Sequence, residues 1–188
     1  MRWLSAFLLI FCSAAVQADE AVIICFNYGC ATEQTAVFSE IRLTWTEEIL
    51  AAADTAERER QLLSLVMGRL YAWAGQQTPI HVDRGGNFND EGVPGAMDCI
   101  DHSTTTTRFL RLLERRGALH FHRVLEPSKR GWILQHFSAQ IEEIGPKQMH
   151  AETEHIRRFA VDSWYVDNGR SSPIIPMDLW QGGSDPDV

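Results

Sequence analysis

The change of hydrophobic period at Gly117 constrains this chain more than any other feature. Before it, apolar residues recur at helical spacing. Leu62, Leu65, Val66, Met67 and Leu70 run to Gly75, and Phe109, Leu110, Leu112 and Leu113 run to Gly117. After it the period is two. Leu119, Phe121 and Arg123 alternate with His120, His122 and Val124. Trp132, Leu134, His136 and Ser138 alternate with Ile133, Phe137, Ala139 and Ile141. Arg158, Ala160, Asp162 and Trp164 alternate with Phe159, Val161 and Tyr165. Helices followed by a run of strands predict an α+β fold, with a helix packed on an antiparallel meander.

The finer reading follows the same signals. Val37 to Trp45 reads as a short strand, and Thr44 with Glu47 as a capping box that opens a helix toward Ala53. Asp54 with Glu57 repeats that pattern ahead of the helix that ends at Gly75. Residues 76–97 read as a long loop, rich in turn formers such as Gly85-Gly86-Asn87. A helix is expected over Ser103 to Arg116, and an irregular tail from Pro173 onward. At 188 residues with 45% hydrophobic content, the chain is long enough for a packed core and matches one domain, 19–188, after a leader.

The leader is residues 1–18. Arg2, the apolar run Leu4–Phe11 and the small-residue site Val16-Gln17-Ala18 read as a cleavable export signal. The apolar stretch is too short to span a bilayer, so a periplasmic or secreted protein with no stable membrane anchor is expected. Loss of Arg2 would take the formal net charge from −8 to −9. An acidic chain of this kind lacks the basic face that nucleic acid requires.

Export also sorts the cysteines. Cys12 leaves with the signal, and Cys25 and Cys30 are close enough in sequence to close a small disulfide loop across Phe26-Asn27-Tyr28-Gly29. Cys99 is left over, at the start of a helix, where free backbone N–H groups favour a thiolate. His136 and Asp162 each interrupt an apolar strand. A thiol nucleophile needs a base to move its proton, and the base needs a third group to fix its ring. Cys99, His136 and Asp162 are therefore the candidate catalytic residues. His102, three residues after Cys99, is a lesser candidate for the base.

These residues, with Asp98-Cys99-Ile100-Asp101, the helix ending Phe109 to Gly117, Trp132 and Phe159-Ala160-Val161-Asp162-Ser163-Trp164, resemble the bacterial transglutaminase-like cysteine peptidases. The resemblance covers roughly 85–166. It implies a papain-like core, with Cys99 as nucleophile, His136 as general base and acid, and Asp162 as the orienting acid. It also implies action on amide bonds of a protein or peptide. Some members carry an acid directly after the Cys, where this chain has Ile100. No cofactor or metal is expected. Gln76, Gln77, Asn87 and Asn89 are all candidates for an oxyanion side chain, and the sequence does not choose among them.

Rival readings follow from the same residues. His120 and His122 share a strand face and, with Cys99, His150 or His155, offer a zinc site. An inactive member of the same fold would use the groove to bind a peptide or protein. A purely structural protein would bury Cys99.

Overall fold

The helix that carries Cys99 organises the fold. The computed structural model describes residues 18–144 and 157–186. A hairpin of β1 (Glu20–Phe26) and β2 (Thr32–Phe38) leads into α1 (Glu40–Ala51) and α2 (Ala56–Gly75). A 3-10 helix at Pro79–Val82 and a long loop then deliver the chain to α3 (Cys99–Arg115). Strands β3 (His122–Arg130), β4 (His136–Glu143), β5 (Arg158–Val161) and β6 (Ile174–Pro176) follow, and α4 (Met177–Gln181) comes last.

Among the described residues the architecture is mixed α+β with two antiparallel sheets, one of β1-β2 and one of order β3-β4-β5-β6. The second sheet is the meander that the alternation after Gly117 predicts. Helix α3 lies between the sheets and packs on β1, β3 and β4. Phe109, Leu110, Leu112 and Leu113 on α3 are fully buried and join Ile24, Phe38, Leu70, Ala139 and Ile141 in one core. Arg116, just past the end of α3, is buried against Glu20, Glu40 and Glu47, which ties β1 and α1 to that end of the helix.

Several boundaries differ from expectation for identifiable reasons. The segment Val37–Trp45 is split, because the Glu40 N–H donates to Asp19 Oδ1 at 2.9 Å and the helix starts there. Thr44 and Glu47 lie inside α1 and form no cap. Helix α2 is capped by Thr55, whose hydroxyl accepts from the Arg58 N–H, and not by Asp54. Helix α3 begins at Cys99 and not Ser103. Asp98 and Asp101 close a capping box there, and two of the four threonines that weaken helix propensity make tertiary hydrogen bonds. Thr105 Oγ1 accepts from the Cys25 N–H at 3.0 Å, and Thr106 Oγ1 pairs with Tyr71 and Ser163.

The expected strand at Trp132–Ile141 starts only at His136. Gly131 takes φ 79°, and a Cβ there would sit 2.2 Å from the Leu134 carbonyl oxygen, so residues 131–135 form a tight turn that no strand pairing continues through. The tail from Pro173 is not wholly irregular, since it supplies β6 and α4. The segment read as an export signal lies, apart from Ala18, outside the described residues. No described helix is long and apolar enough to cross a membrane.

Candidate active site

Cys99 is the first residue of α3, and the chain before it is held from two sides. Asp98 Oδ1 accepts from the N–H groups of Ile100 and Asp101 at 3.0 and 2.9 Å. Neither cap bond uses the Cys99 N–H. The tip of the β1-β2 hairpin docks on the same acids. Asn27, Tyr28, Gly29 and Cys30 all have positive φ; the N–H groups of Tyr28, Gly29 and Cys30 form an anion-binding concavity, while the Asn27 N–H donates to the Ala96 carbonyl. Asp101 accepts from Tyr28 N and Cys30 N at 2.8 and 2.5 Å, and Asp98 from Gly29 N at 3.0 Å. Cys25 and Cys30 are disulfide-bonded with Cα atoms 4.7 Å apart, which locks this tip, and Cys99 is a free thiol. Burial raises the Asp101 carboxyl to about 6. The hairpin N–H bonds resist that rise and the neighbouring Asp98 charge adds to it.

His136 opens β4, and Asp162 follows the last residue of β5. Register places Ala139 opposite Val161, so the start of β4 and the end of β5 are adjacent. His136 Nε2 lies 2.7 Å from Asp162 Oδ2, which also accepts from the Trp180 indole N–H at 2.7 Å. Cys99 shares a cleft with the ring and adds to the rise of its pKa, while the Cys99 Sγ lies 3.9 Å from the Gln135 carbonyl oxygen. Trp164, Tyr165 and Trp180 surround the imidazole with ring centroids 5.0, 5.6 and 5.8 Å away. Burial alone would depress the His136 pKa. The hydrogen bond to Asp162 and the interaction with Cys99, reinforced by their charges, outweigh it and carry the value up to about 9. Asp162 is not in a strand as expected. It stands at the N-cap position of the 3-10 helix Ser163–Tyr165 with no side-chain cap bond, and its carboxylate turns onto His136 and Trp180 instead.

Cys99 and His136 line a cleft of about 510 Å³ with Tyr28, Asn87, Phe88, Arg130, Trp164 and Tyr165. Of the four oxyanion candidates, only Asn87 lines this cleft. Gln76 binds Arg42, and Gln77 binds the backbone of β2. Trp132, Ile133 and Leu134 are 97, 94 and 90% exposed in the turn at the rim. The loop 83–97 is clamped shut: Asp83 Oδ1 accepts from Met97 N at 2.8 Å, and Gly86 N donates to Trp164 O at 2.8 Å.

Two of the rival residues, His102 and His122, are engaged elsewhere. Both ring nitrogens of His102 are taken, Nε2 by Asp83 at 3.0 Å and Nδ1 by Ser163 at 2.9 Å, so it is not free to act on Cys99. His122 pairs with Glu59 and Arg60 at the other end of β3. His150 and His155 lie outside the described residues.

Arg130, Tyr165 and Trp180 line or support the site without a sequence signal that marks them, because their roles depend on strand pairing and on α4 folding back. Asp98 and Asp101 did carry a signal, the S/T/D-x-x-D/E cap pattern just before a helix. Comparison with protein-family models, with curated proteins and with solved structures returns no match for this chain.

Proposed function

We propose that the protein is an exported thiol hydrolase or acyl transferase acting on amide bonds of a protein or peptide. It would work in the manner of the transglutaminase-like cysteine peptidases, with their papain-like core. The observation that carries this is the His136 ring, held by Asp162 at 2.7 Å, lining one open cleft with the free Cys99 thiol. Asp162 fixes the tautomer and orientation of the ring, and Trp180 holds Asp162 in turn.

In the proposed reaction the Cys99 sulfur bonds to the amide carbonyl carbon and the C=O electron pair moves onto oxygen. The Cys99 N–H, left out of the cap, donates to that oxyanion, and Asn87, which lines the cleft, is the candidate side chain to assist; such a donor contributes on the order of 10²–10³ in rate. Collapse breaks the C–N bond as His136 gives its proton to the departing nitrogen, a contribution of about 10²–10⁴. Water then attacks the thioester while His136 takes one of its protons, and the C–S bond breaks to return the thiolate–imidazolium pair. An amine in place of water would give transamidation. The apolar turn at 132–134 offers a peptide side-chain contact at the rim.

The test is the rate of Cys99 alkylation by iodoacetamide against pH. An imidazolium that keeps its proton to about pH 9 beside the sulfur should support rapid labelling at pH 6–7. His136→Ala should slow labelling in that range by at least about tenfold, and Asp162→Asn by less. A profile that His136→Ala leaves unchanged would mark an inactive binding module. No labelling before denaturation would mark a structural protein.

A further inference from the structure

The cleft contains a second polar device that the proposed reaction does not use. Arg130 on β3 pairs directly opposite His136 on β4, so the two side chains leave the same face of the sheet as close neighbours. The Arg130 guanidinium is 13% exposed and lies over the Trp180 ring, 5.0 Å from its centroid. One arm is anchored on the Trp180 carbonyl at 2.6 Å and reaches the Ser184 carbonyl at 3.3 Å. The other donates to the Tyr165 hydroxyl at 2.6 Å and to Asp185 Oδ1 at 2.8 Å. A guanidinium only donates, so the Tyr165 oxygen must accept from it, and the single hydroxyl proton is sent on to the same Asp185 oxygen. Two oriented donors therefore converge on one carboxylate oxygen.

The donors and the acceptor are held very differently. Arg130 and Tyr165 are fixed by a strand, a stacked indole and a 3-10 helix. The Asp185 side chain is 66% exposed and stands on an irregular segment after α4. An exposed partner of this kind is weakly held and exchangeable.

We propose that Arg130 and Tyr165 form a carboxylate subsite of the Cys99 cleft, filled in the free protein by Asp185 and taken over by a carboxylate of the substrate. The inference rests on the Cys99 reading for what the subsite serves. The cross-strand position of Arg130 beside His136 puts the substrate's acidic group within a residue or two of the scissile amide. The substrate class is then a peptide with a carboxylate next to the amide that is cleaved or transferred. Asp185, being tethered, competes at an effective concentration that a free acidic peptide must match.

The experiment compares alkylation of Cys99 by N-iodoacetylglycine and by N-iodoacetylglycinamide, which differ only in bearing a carboxylate or an amide one residue from the attacked carbon. In each case a C–S bond forms and iodide leaves. The ratio of the two rates is expected to rise about fivefold in Asp185→Asn and in a chain shortened to end at Gly183, both checked for native near-UV circular dichroism. Arg130→Gln in the shortened chain is expected to bring it back. A ratio that is the same in all of these proteins overturns the subsite. If Cys99 takes neither reagent, the thiol-hydrolase reading falls, and the subsite is judged by calorimetry. A peptide matching residues 182–188 should then bind the shortened chain at least tenfold more tightly than its Asp185→Asn counterpart. Equal affinity of the two peptides, or no binding of either, overturns it.

Discussion

Two histidine–carboxylate pairs stand on the same four-stranded sheet, and they are built to opposite ends. At the start of β3, His122 Nδ1 lies 2.8 Å from Glu59 and its Nε2 faces Arg60 at 3.2 Å. Glu59 also accepts from the N–H groups of His120 and Phe121, at 2.6 and 3.1 Å, and both side chains of the pair are wholly buried. Every polar group there is used. At the start of β4, His136 has one nitrogen on Asp162 and makes no hydrogen bond through the other among the described residues, and it stands with Cys99 in an open cleft. Asp162 keeps a buried Oδ1 with no partner. A histidine–carboxylate pair is thus no mark of a site in itself. A nitrogen left over for a nucleophile, and room for a ligand beside it, make the difference.

The comparison breaks most visibly under truncation of the carboxylates. Glu59→Ala strands a buried imidazole and two backbone N–H groups, and should cost about 4 kcal/mol of folding stability. It should leave the alkylation rate of folded Cys99 unchanged. Asp162→Ala strands the Trp180 indole N–H but leaves His136 beside an open cleft, and should cost about 2 kcal/mol while slowing that rate. Urea unfolding of the two variants beside the labelling assay checks both statements. Equal stability losses would mean that the two pairs do the same work.

A smaller effect separates the pairs by pH. The folded-state pKa of His136 is raised from 6.5 to about 9, so its contribution to stability is complete below pH 6.5 and is lost as pH rises through 9. The urea midpoint of the parent protein should therefore fall over that window, and more steeply than that of Asp162→Asn, which removes the first hydrogen bond that raises the value. Parallel curves for the two proteins would show that Asp162 does not hold the imidazolium.

The parts of this arrangement legible in the sequence are those with a local signal. The meander showed in the alternation after Gly117, Cys99 in the disulfide arithmetic, and His136 and Asp162 as polar residues in apolar strands. Strand β1 gave no such signal. Ala21 to Phe26 is apolar at every position, so no polar partner set a period, although only Val22, Ile24, Cys25 and Phe26 are buried. The alternation at Trp132 and Leu134 misled for the opposite reason, because Gly131 turns those side chains into solvent. Arg130, Tyr165 and Trp180 became visible only once β3 was set against β4 and α4 folded back over Asp162. Such contacts join residues up to 55 positions apart and leave no periodicity behind.

The central claim is that Cys99 and His136 act as one unit, and titration of the imidazole ring by NMR tests it most directly. In the parent protein the His136 ring should hold its proton to about pH 9, and Cys99→Ala should lower that value, since the Cys99 interaction is one of those that raise it. The His122 resonances should not respond to Cys99→Ala. A His136 ring that titrates near 6.5 in the parent, or at the same pH with and without the Cys99 sulfur, would contradict the account.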